Sequence, residues 1–226
     1  MSRKHLRDLC VVEYGKSPNE IRTHQSPIPI YGTGGRVGFA SRSLFDGPIV
    51  VVARKGTLGN PIYSSGPCWV IDTAYAVHPK DEIDAKWLFY SLDDFDLESL
   101  NEATGVPSIS RDYLYKIRLH TPPLPQQKKI ARILTTVDNL IEKTEALIEK
   151  YKAIKQGMMH DLFTRGVDQN GKLRPPYEEA PHLYKESPLG WIPKEWEAST
   201  VGDELLGIDA GKSPNCPDQP APNGEW

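Results

Sequence analysis

The residue types that could carry out chemistry do not form a recognisable catalytic set in this chain. The segment 32–38, Gly-Thr-Gly-Gly-Arg-Val-Gly, is as rich in glycine as a nucleotide-binding loop, but the residues after it do not open a helix with the required spacing. Gly-Lys-Ser occurs twice, from Gly15 and from Gly211, and each triplet is followed by a proline that fits poorly into the helix of a phosphate loop. We therefore predict that the chain is not an enzyme by itself.

Histidine and cysteine also lack the arrangement of a metal or catalytic site. The six histidines show no ligand spacing and suggest no Ser/His/Asp set. Cys10, Cys68 and Cys216 are scattered and form neither a metal-type pair nor a disulfide framework, which fits a reducing compartment. No apolar run is long enough to cross a membrane, and no secretory signal is indicated. We predict no metal, no cofactor, no membrane segment and a cytoplasmic location.

Charge is distributed unevenly along the 226 residues, although the formal net charge is only −3. Residues 1–79 carry nine Lys/Arg and five Asp/Glu, whereas residues 80–120 carry five and nine. A surface polarised in this way could attract phosphates on one side and repel them on the other. Ordinary charge scatter is the alternative, and these differences alone do not exclude it.

The elements that would position any functional residue fall into two parts, of which the first is a domain of short strands and long loops. Strands are predicted at 28–31, 48–53, 68–71, 74–77 and 117–119, and helical spacing occurs around 83–92. The β-branched run 48–53 is long enough to be one buried strand, and residues 99–109 form a polar loop. Residues 1–121 are therefore predicted to be a globular α+β domain.

From Gln126 to about Thr164 the pattern changes to that of a coiled coil. Apolar residues repeat every seven positions in three rows: Ile133, Leu140, Leu147 and Ile154; Ile130, Val137, Thr144, Tyr151 and Met158; and Leu134, Ile141 and Ile148. Pro125 is a start signal ahead of this run and Gly166 is a stop signal after it. We predict one long helix within residues 122–165, which would be roughly 60 Å long at about 1.5 Å per residue.

A helix with such a stripe needs a partner helix to cover it. No second helix of comparable length is predicted in residues 1–226, and only the first turns are expected to pack on the preceding domain. The partner therefore belongs to another copy of the chain or to a different protein. The predicted dimerisation residues are Ile130, Ile133, Val137, Leu140, Ile141, Leu147, Ile148, Tyr151 and Ile154.

A long internal repeat is indicated by the pentapeptide Gly-Lys-Ser-Pro-Asn, which occurs at 15–19 and again at 211–215. Asp8-Leu9 and Glu204-Leu205 match at the same offset ahead of the two copies. The offset of 196 residues is far longer than the roughly 20–50 residues of a solenoid repeat and predicts a duplicated domain. Residues 166–190, punctuated by Gly and Pro, are interpreted as a linker, and residues 191–226 as the start of the second copy.

The order of these segments resembles that of the DNA-specificity subunit of Type I restriction–modification systems. The resemblance lies in the segments Pro-Pro-Leu-Pro-Gln-Gln-Lys-Lys-Ile-Ala at 122–131, Leu-Gly-Trp-Ile-Pro-Lys-Glu-Trp at 189–196, Arg-Lys-Gly-Thr-Leu-Gly at 54–59, Trp-Val-Ile-Asp-Thr-Ala-Tyr at 69–75 and Thr-Gly-Val-Pro-Ser-Ile-Ser at 104–110. It covers residues 1 to about 200. No single motif is specific, but their order is.

The resemblance implies an architecture and a set of partners. Full-length members carry two target-recognition domains and two long helices that pack antiparallel as a spacer, and they read two short half-sites separated by a gap. They do no chemistry themselves; they hold methyltransferase subunits, to which S-adenosylmethionine would belong, and restriction subunits join the complex. In these terms residues 1–121 are one target-recognition domain, 122–165 a spacer helix, and 191–226 the start of a truncated second domain. A half-length form of this kind is expected to pair as a homodimer and to read an interrupted palindrome.

The resemblance further implies that loops of the first domain contact double-stranded DNA. Phosphates are neutralised by Lys and Arg, and base edges are read by Arg, Lys, Asn, Gln, Ser and Thr. The candidate DNA-binding residues are Lys16, Ser17, Tyr31, Thr33, Arg36, Arg54, Lys55, Thr57, Thr104, Ser108, Ser110 and Arg111, with Arg54 and Lys55 first among them.

Two other interpretations stay open. The helix supports equally well a coiled-coil adaptor whose first domain binds a protein or a small ligand. The chain could also be a truncated gene product with no independent activity. Salt-sensitive binding to duplex DNA would separate the first alternative from a DNA-reading subunit.

Overall fold

The protein is seen in a computed structural model that describes residues 2–208 and residue 211. Its strands are β1 (Ser2–His5), β2 (Cys10–Tyr14), β3 (Ile28–Gly32), β4 (Gly35–Ala40), β5 (Ile49–Ala53), β6 (Ile62–Ser64), β7 (Trp69–Val70), β8 (Ala74–Pro79), β9 (Arg118–Thr121), β10 (Tyr184–Ser187) and β11 (Gly190–Pro193). Its α-helices are α1 (Leu6–Leu9), α2 (Ala85–Asp93), α3 (Arg111–Lys116), α4 (Leu124–Thr164) and α5 (Val201–Glu204), and 3-10 turns span Leu97–Leu100 and Pro181–Leu183. The chain divides into two compact units, with the boundary between Glu145 and Ala146.

Two sheets and a two-stranded ribbon form the framework of the first unit. The larger sheet is antiparallel with the strand order β2-β8-β5-β6. The smaller sheet has the order β4-β3-β7, in which β3 and β4 are antiparallel and β3 and β7 are parallel. The ribbon pairs β1 with β9, so that the start of the chain is joined to the strand that immediately precedes α4.

Strand β5 lies between two layers of core, which explains its unbroken run of β-branched residues. Val50 and Val52 face a cluster that includes Leu88 of α2 and Leu114 of α3. Ile49 and Val51 face the opposite way, into a cluster with residues of β7 and β8. Because side chains alternate across a strand, a strand covered on both faces must be apolar at every position.

The α+β class is confirmed, and each predicted strand segment overlaps a strand of the structure. Strands β1, β2, β4 and β6 lie outside the segments predicted from the sequence. Strand β4 was hidden because its sequence carries Gly35 and Gly38, both with positive φ, and because a register shift separates Ile30 from Tyr31 on the paired strand β3. Glycines that permit such irregular pairing look like loop residues in a sequence.

Helix α4 is confirmed as one long helix, and it begins at Leu124 instead of after Pro125. Pro125 lies in the first turn, which tolerates proline because its N–H groups have no intrahelical acceptor. The helix ends at Thr164, two residues before Gly166, whose φ is +64° and whose N–H donates to the carbonyls of Asp161 and Leu162. A left-handed glycine at this position is a common way to end a helix.

A buried amide attaches the first turns of α4 to the rest of the first unit. The Gln127 side chain is 1% exposed; its Oε1 accepts from the N–H of Asp84 at 2.8 Å, and its Nε2 donates to the carbonyl of Pro122 at 2.9 Å. Ala131 is also buried, and the Tyr90 hydroxyl of α2 bonds to Thr135 and Asp138. Gln127 and Ala131 are the buried residues of α4, as expected from the prediction that only its first turns pack on the domain.

The second unit is more ordered than its Gly- and Pro-rich sequence indicated. Strands β10 and β11 form a hairpin, and the Tyr177 and Trp191 rings stack at a centroid distance of 4.4 Å. Arg174 is buried and its guanidinium contacts the Glu195 carboxylate. The hairpin crosses residue 190, where the linker was predicted to end. Aromatic and ionic contacts order this segment despite its composition.

The predicted repeat has one structural counterpart within the described residues. The four-residue helix α5 lies one residue away from the position that the 196-residue offset assigns to the equally short α1. Residues 212–215 of the second pentapeptide, Cys216 and the rest of the proposed second domain lie outside the described residues. The division into domains therefore stays a prediction.

Candidate nucleic-acid interface

Three elements place two guanidinium groups on one tyrosine ring at an end of the larger sheet. Tyr14 is the last residue of β2, Arg54 directly follows β5, and Arg111 opens α3. The guanidinium carbon of Arg54 lies 5.2 Å from the centroid of the Tyr14 ring, and that of Arg111 lies 5.3 Å from it. Both distances are within the range of a cation–π contact.

The loop after β5 is held by backbone hydrogen bonds on two sides. The N–H groups of Arg54 and Lys55 donate to the carbonyl of Thr73 at 2.9 and 3.1 Å. On the other side, the carbonyl of Arg54 accepts from Ile109 at 3.0 Å, and Gly56 donates to Pro107 at 2.9 Å. Residue 56 must be glycine because its φ is +93°. The loop is therefore fixed, while the Lys55 and Thr57 side chains remain exposed.

The segment 101–111 closes on itself beside this loop. The Asn101 side chain accepts from the N–H groups of Ala103 and Ser108, and the Glu102 carboxylate accepts from the N–H of Ser110. Ser108 forms an isolated bridge with Lys55, so the two predicted segments meet. The Ser110 hydroxyl caps α3 by accepting from Tyr113, which gives this candidate a structural role. Thr104 is exposed in the same segment.

The turn between β3 and β4 brings Thr33 to the same loop but leaves Arg36 elsewhere. A Cβ at Gly56 would lie 3.6 Å from the Thr33 hydroxyl. Tyr31 is half-buried, and its carbonyl accepts from Ile71. The Arg36 guanidinium lies over the Phe39 ring, at 5.0 Å, and not over Tyr14.

The Gly-Lys-Ser-Pro-Asn copy at 15–19 packs its backbone tightly and exposes its side chains. A Cβ at Gly15 would lie 2.1 Å from the Ile71 carbonyl oxygen, so only glycine fits there. The N–H of Lys16 donates to Val70, and its carbonyl accepts from the Trp69 indole at 2.7 Å. The Lys16 and Ser17 side chains are exposed.

The buried side chain of Tyr75 packs against the Tyr14 ring. Tyr75 is paired with Tyr14 across β2 and β8, and the two rings meet edge-on at 5.2 Å. The Tyr75 hydroxyl donates to the carbonyl of Ile109 at 3.1 Å. Burial, reinforced by the neighbouring Tyr14, raises the pKa of Tyr75 to about 12, so this hydroxyl stays protonated and remains a donor at neutral pH.

Sequence reasoning missed Tyr14, which is the residue that Arg54 and Arg111 share. A signal existed, because Tyr14 lies two residues before Lys16, and aromatic side chains among basic residues are typical of surfaces that bind single-stranded nucleic acid. It also missed Arg22, whose guanidinium donates to the carbonyl of Val37 at 3.1 Å beside Arg36 on β4. The glycines that kept β4 from being predicted as a strand also kept Arg22, which contacts it, from being considered.

The second surface of interest is the apolar stripe of α4, which is exposed along its predicted length. The nine predicted dimerisation residues range in exposure from 37% for Ile130 to 62% for Tyr151. The residues of all three rows therefore face solvent in a single chain. Contiguous exposed apolar surface of this kind marks an interaction site.

The described residues contain no group of three or more His, Cys, Asp or Glu side chains placed to hold a metal ion. No helix in the described part of the chain has both the length and the apolar character needed to span a bilayer.

A protein-family model described as the Type I restriction modification DNA specificity domain matches residues 1–152. Among curated proteins, the Type I restriction enzyme MjaVIII specificity subunit of Methanocaldococcus jannaschii is 30% identical over 217 residues, which are 94% of this chain and 43% of that protein. The putative MjaX specificity subunit of the same organism is 33% identical over 141 residues, covering 60% of this chain and 31% of that protein. The chain thus spans less than half the length of these relatives.

Among solved structures, the S subunit of a Type I restriction–modification system from M. genitalium superposes with a TM-score of 0.59 at 20% identity. The superposition covers 72% of this chain and 45% of that one. At this identity the likeness concerns the fold, in which a strand-rich domain is followed by a long helix.

Proposed function

Because the chain belongs to the Type I restriction–modification DNA specificity family, as its resemblance predicted, we propose that residues 2–121 bind duplex DNA and read its sequence. The observation that carries this proposal is the pair of guanidinium groups of Arg54 and Arg111 on the Tyr14 ring, at one end of the larger sheet. Lys55 follows Arg54 and bridges to Ser108. The residues come from three separate elements, so the fold itself assembles the basic surface.

The charges of this surface are available to DNA. Among the described residues, none of the four salt bridges involves Lys16, Arg36, Arg54, Lys55 or Arg111. Cations that are not neutralised within the protein can displace counterions from phosphates, which supplies most of the affinity for duplex DNA. Arginine and hydroxyl side chains beside them can contact base edges.

The role we propose for the chain is recognition without catalysis. Double-stranded DNA would be its direct ligand, and methyltransferase subunits carrying S-adenosylmethionine would dock on it, with restriction subunits joining the assembly. The chain itself would need no cofactor.

We further propose that two copies pair antiparallel through α4. No second helix of comparable length occurs within the described residues. The stripe is also self-complementary when the chain direction is reversed. Reversal about Glu142 superposes the row Ile133, Leu140, Leu147 and Ile154 on the row Tyr151, Thr144, Val137 and Ile130. The third row, Leu134, Ile141 and Ile148, is symmetric about Ile141, one residue from that centre.

Such a pair would have two-fold symmetry, with one reading domain from each copy. A two-fold assembly presents the same surface twice, so its target should be an interrupted palindrome. The tests of DNA recognition and of symmetry are separable, since either property can hold without the other.

Salt-dependent DNA binding and methylome sequencing test recognition. We expect the chain to bind a labelled duplex with an affinity that falls steeply as salt rises, and cells that also express a matching methyltransferase subunit to show one gapped methylated motif. Binding that is absent or independent of salt, together with an unmethylated genome, would favour the adaptor interpretation. A gapped motif that is not palindromic would refute the two-fold pairing and leave DNA recognition intact.

Site-directed cross-linking tests the antiparallel arrangement. With a short bis-maleimide, Ile141→Cys should cross-link to itself, because residue 141 lies beside the proposed axis. Ile148→Cys alone should not, but a mixture with Leu134→Cys should. In a parallel pair Ile148→Cys would cross-link to itself as readily as Ile141→Cys, which would contradict the proposal. Each variant is made in a Cys216→Ser background, and that background, whose Cys10 and Cys68 are buried, is the control.

A further inference from the structure

We propose that Tyr14 is a positioning residue that holds the Arg54 and Arg111 guanidinium groups so that they read guanine bases in the DNA half-site. This inference rests on the proposed function and extends it to a base type and to a residue that is not itself charged. Its basis is the unusual sharing of one exposed ring by two arginines.

The Tyr14 ring is fixed by the sheet. Tyr14 pairs with Tyr75 in the register of β2 and β8, and Tyr75 pairs with Val52 of β5, so the three side chains form one row on one face. Tyr75 is 1% exposed and meets the Tyr14 ring edge-on, whereas Tyr14 is 46% exposed. One side of the ring is therefore held by the core while the rest remains accessible.

The two arginines are anchored through their backbones to the same segment. The carbonyl of Arg54 accepts from Ile109, and the carbonyl of Ile109 accepts from the Tyr75 hydroxyl. Arg111 follows two residues later, directly after the Ser110 cap of α3. Arg54 is further restrained because its Nη1 donates to the carbonyl of Asp72 at 3.3 Å. The ring and both arginines thus belong to one hydrogen-bonded unit.

Two cations on one ring repel each other, and no carboxylate compensates them among the salt bridges of the described residues. An electron-rich partner would relieve this repulsion. Guanine presents two acceptors, O6 and N7, at the edge of the major groove, and they match the planar fork of a guanidinium. Phosphate contacts tolerate mobile side chains, whereas bidentate reading of a base needs a fixed fork, and therefore we favour a base edge over a phosphate.

Selection from a duplex library with randomised half-sites tests the inference on the full chain. The wild type should enrich a motif that contains guanine, and Tyr14→Leu should lose about five- to tenfold of the preference at one or two guanine positions only. Tyr14→Phe keeps the aromatic face and should retain the motif. The salt dependence of Tyr14→Leu should equal that of the wild type, because the substitution removes no charge.

Tyr113→Ala is the matched control. Tyr113 is 41% exposed and carries Lys116 over its ring at 4.3 Å, but it does not contact the shared arginines through that ring. This variant should enrich the wild-type motif. Arg54→Lys and Arg111→Lys keep the charge and remove the fork, so they should flatten the same guanine positions even if Tyr14→Leu folds poorly.

The outcomes distinguish failure of the inference from failure of the proposed function. If the wild type enriches no motif and binds without salt dependence, the proposed function fails. If the wild type enriches a motif and Tyr14→Leu enriches the same one, DNA reading stands and the inference is overturned. A uniform loss of affinity over all sequences in Tyr14→Leu would likewise overturn it, because that result indicates a purely structural or phosphate-anchoring role.

Discussion

The first turns of α4 and the turns beyond Asp138 differ in what covers them, although both belong to one helix. At its start Gln127 and Ala131 are buried against the first unit. Farther along, Leu140 is 58% exposed and Tyr151 is 62% exposed, in a stripe of the same seven-residue period. The helix is thus anchored at one end by a polar side chain and left with an open apolar surface along the rest.

This difference teaches that the two regions are specialised for different contacts. The buried amide of Gln127 has both of its polar atoms satisfied inside one chain, and so it sets the direction in which α4 leaves the domain. The exposed stripe contributes stabilising free energy only when a second surface covers it and removes it from water. Stability of the domain and association of the chain should therefore respond to different substitutions.

The largest effect is expected from breaking the stripe. The double variant Leu140→Glu with Leu147→Glu should weaken self-association by more than about 4 kcal/mol, because each copy would lose two buried leucines. Analytical ultracentrifugation should show a monomer while the domain stays folded. The control Asn139→Glu with Ala146→Glu adds the same charge beside the stripe and should leave the association unchanged. Equal weakening in both double variants would show that charge, and not the stripe, controls pairing.

The next effect concerns the anchored end. Gln127→Leu should lower the free energy of unfolding of the first unit by about 3 kcal/mol, because the partly buried N–H of Asp84 and the buried carbonyl of Pro122 would lose their partner. Urea denaturation measures this change. Gln126→Leu, at an exposed neighbour, should have little effect. A normal denaturation midpoint for Gln127→Leu would mean that the amide is not what anchors α4.

A smaller effect is expected at the proposed DNA-reading surface around Tyr14, Arg54 and Arg111, which belongs to neither part of the helix. Arg54→Ala should reduce discrimination of the cognate half-site by about 1–2 kcal/mol without changing the sedimentation of the chain. Competition binding with cognate and scrambled duplexes measures it. Arg118→Ala removes an exposed arginine of β9 and serves as the control. Unaltered affinity and preference would remove Arg54 from the contact surface.

The smallest effect is expected at Asp93, in the groove between α2 and the start of α4. Burial, followed by the nearby Asp138 and Asp94 carboxylates, raises the pKa of Asp93. The folded state therefore holds this proton more tightly than the unfolded state, and the resulting stabilisation is full below the ordinary aspartate pKa of about 3.9 and is lost as the pH rises through the raised value.

Accordingly, Asp93→Asn should be more stable than the wild type at neutral pH by less than about 0.5 kcal/mol, since the group is largely exposed and solvent screens it. The advantage should vanish below about pH 4. Denaturation at several pH values measures it, with Asp81→Asn as the control. A difference that does not vary with pH would refute this assignment.

Local patterns predicted the elements well where their period was clear. The β-branched run of β5 and the seven-residue repeat of α4 each identify an element because they reflect burial of a face at a fixed spacing. Strand β4 was missed because its glycines permit irregular pairing, and β2 was missed because the exposed Glu13 and Tyr14 interrupt its apolar run. The hairpin of β10 and β11 was read as linker because its order comes from Tyr177, Trp191 and Arg174, and not from a periodic pattern.

The candidate reading residues were chosen one loop at a time, and only some of them meet. Lys55 and Ser108 are joined by a bridge, and Arg54 and Arg111 share Tyr14. Arg36 lies over Phe39, and the Ser110 hydroxyl is used as a helix cap. Sequence spacing could not show which candidates meet and which do not, because their segments are brought together only by strand order and by hydrogen bonds between loops.

The amino-acid sequence by itself determined the helix, its stripe, the mixed class of the first domain and the likeness to a family, because these follow from short-range periods and from the order of motifs. The tertiary structure alone decided that Tyr14, Arg54 and Arg111 come together. They are far apart in the chain and meet because β2 and β5 flank β8 in one sheet while the segment before α3 bonds to the end of β5. Such contacts depend on which distant strands pair, and local preferences carry no information about that choice.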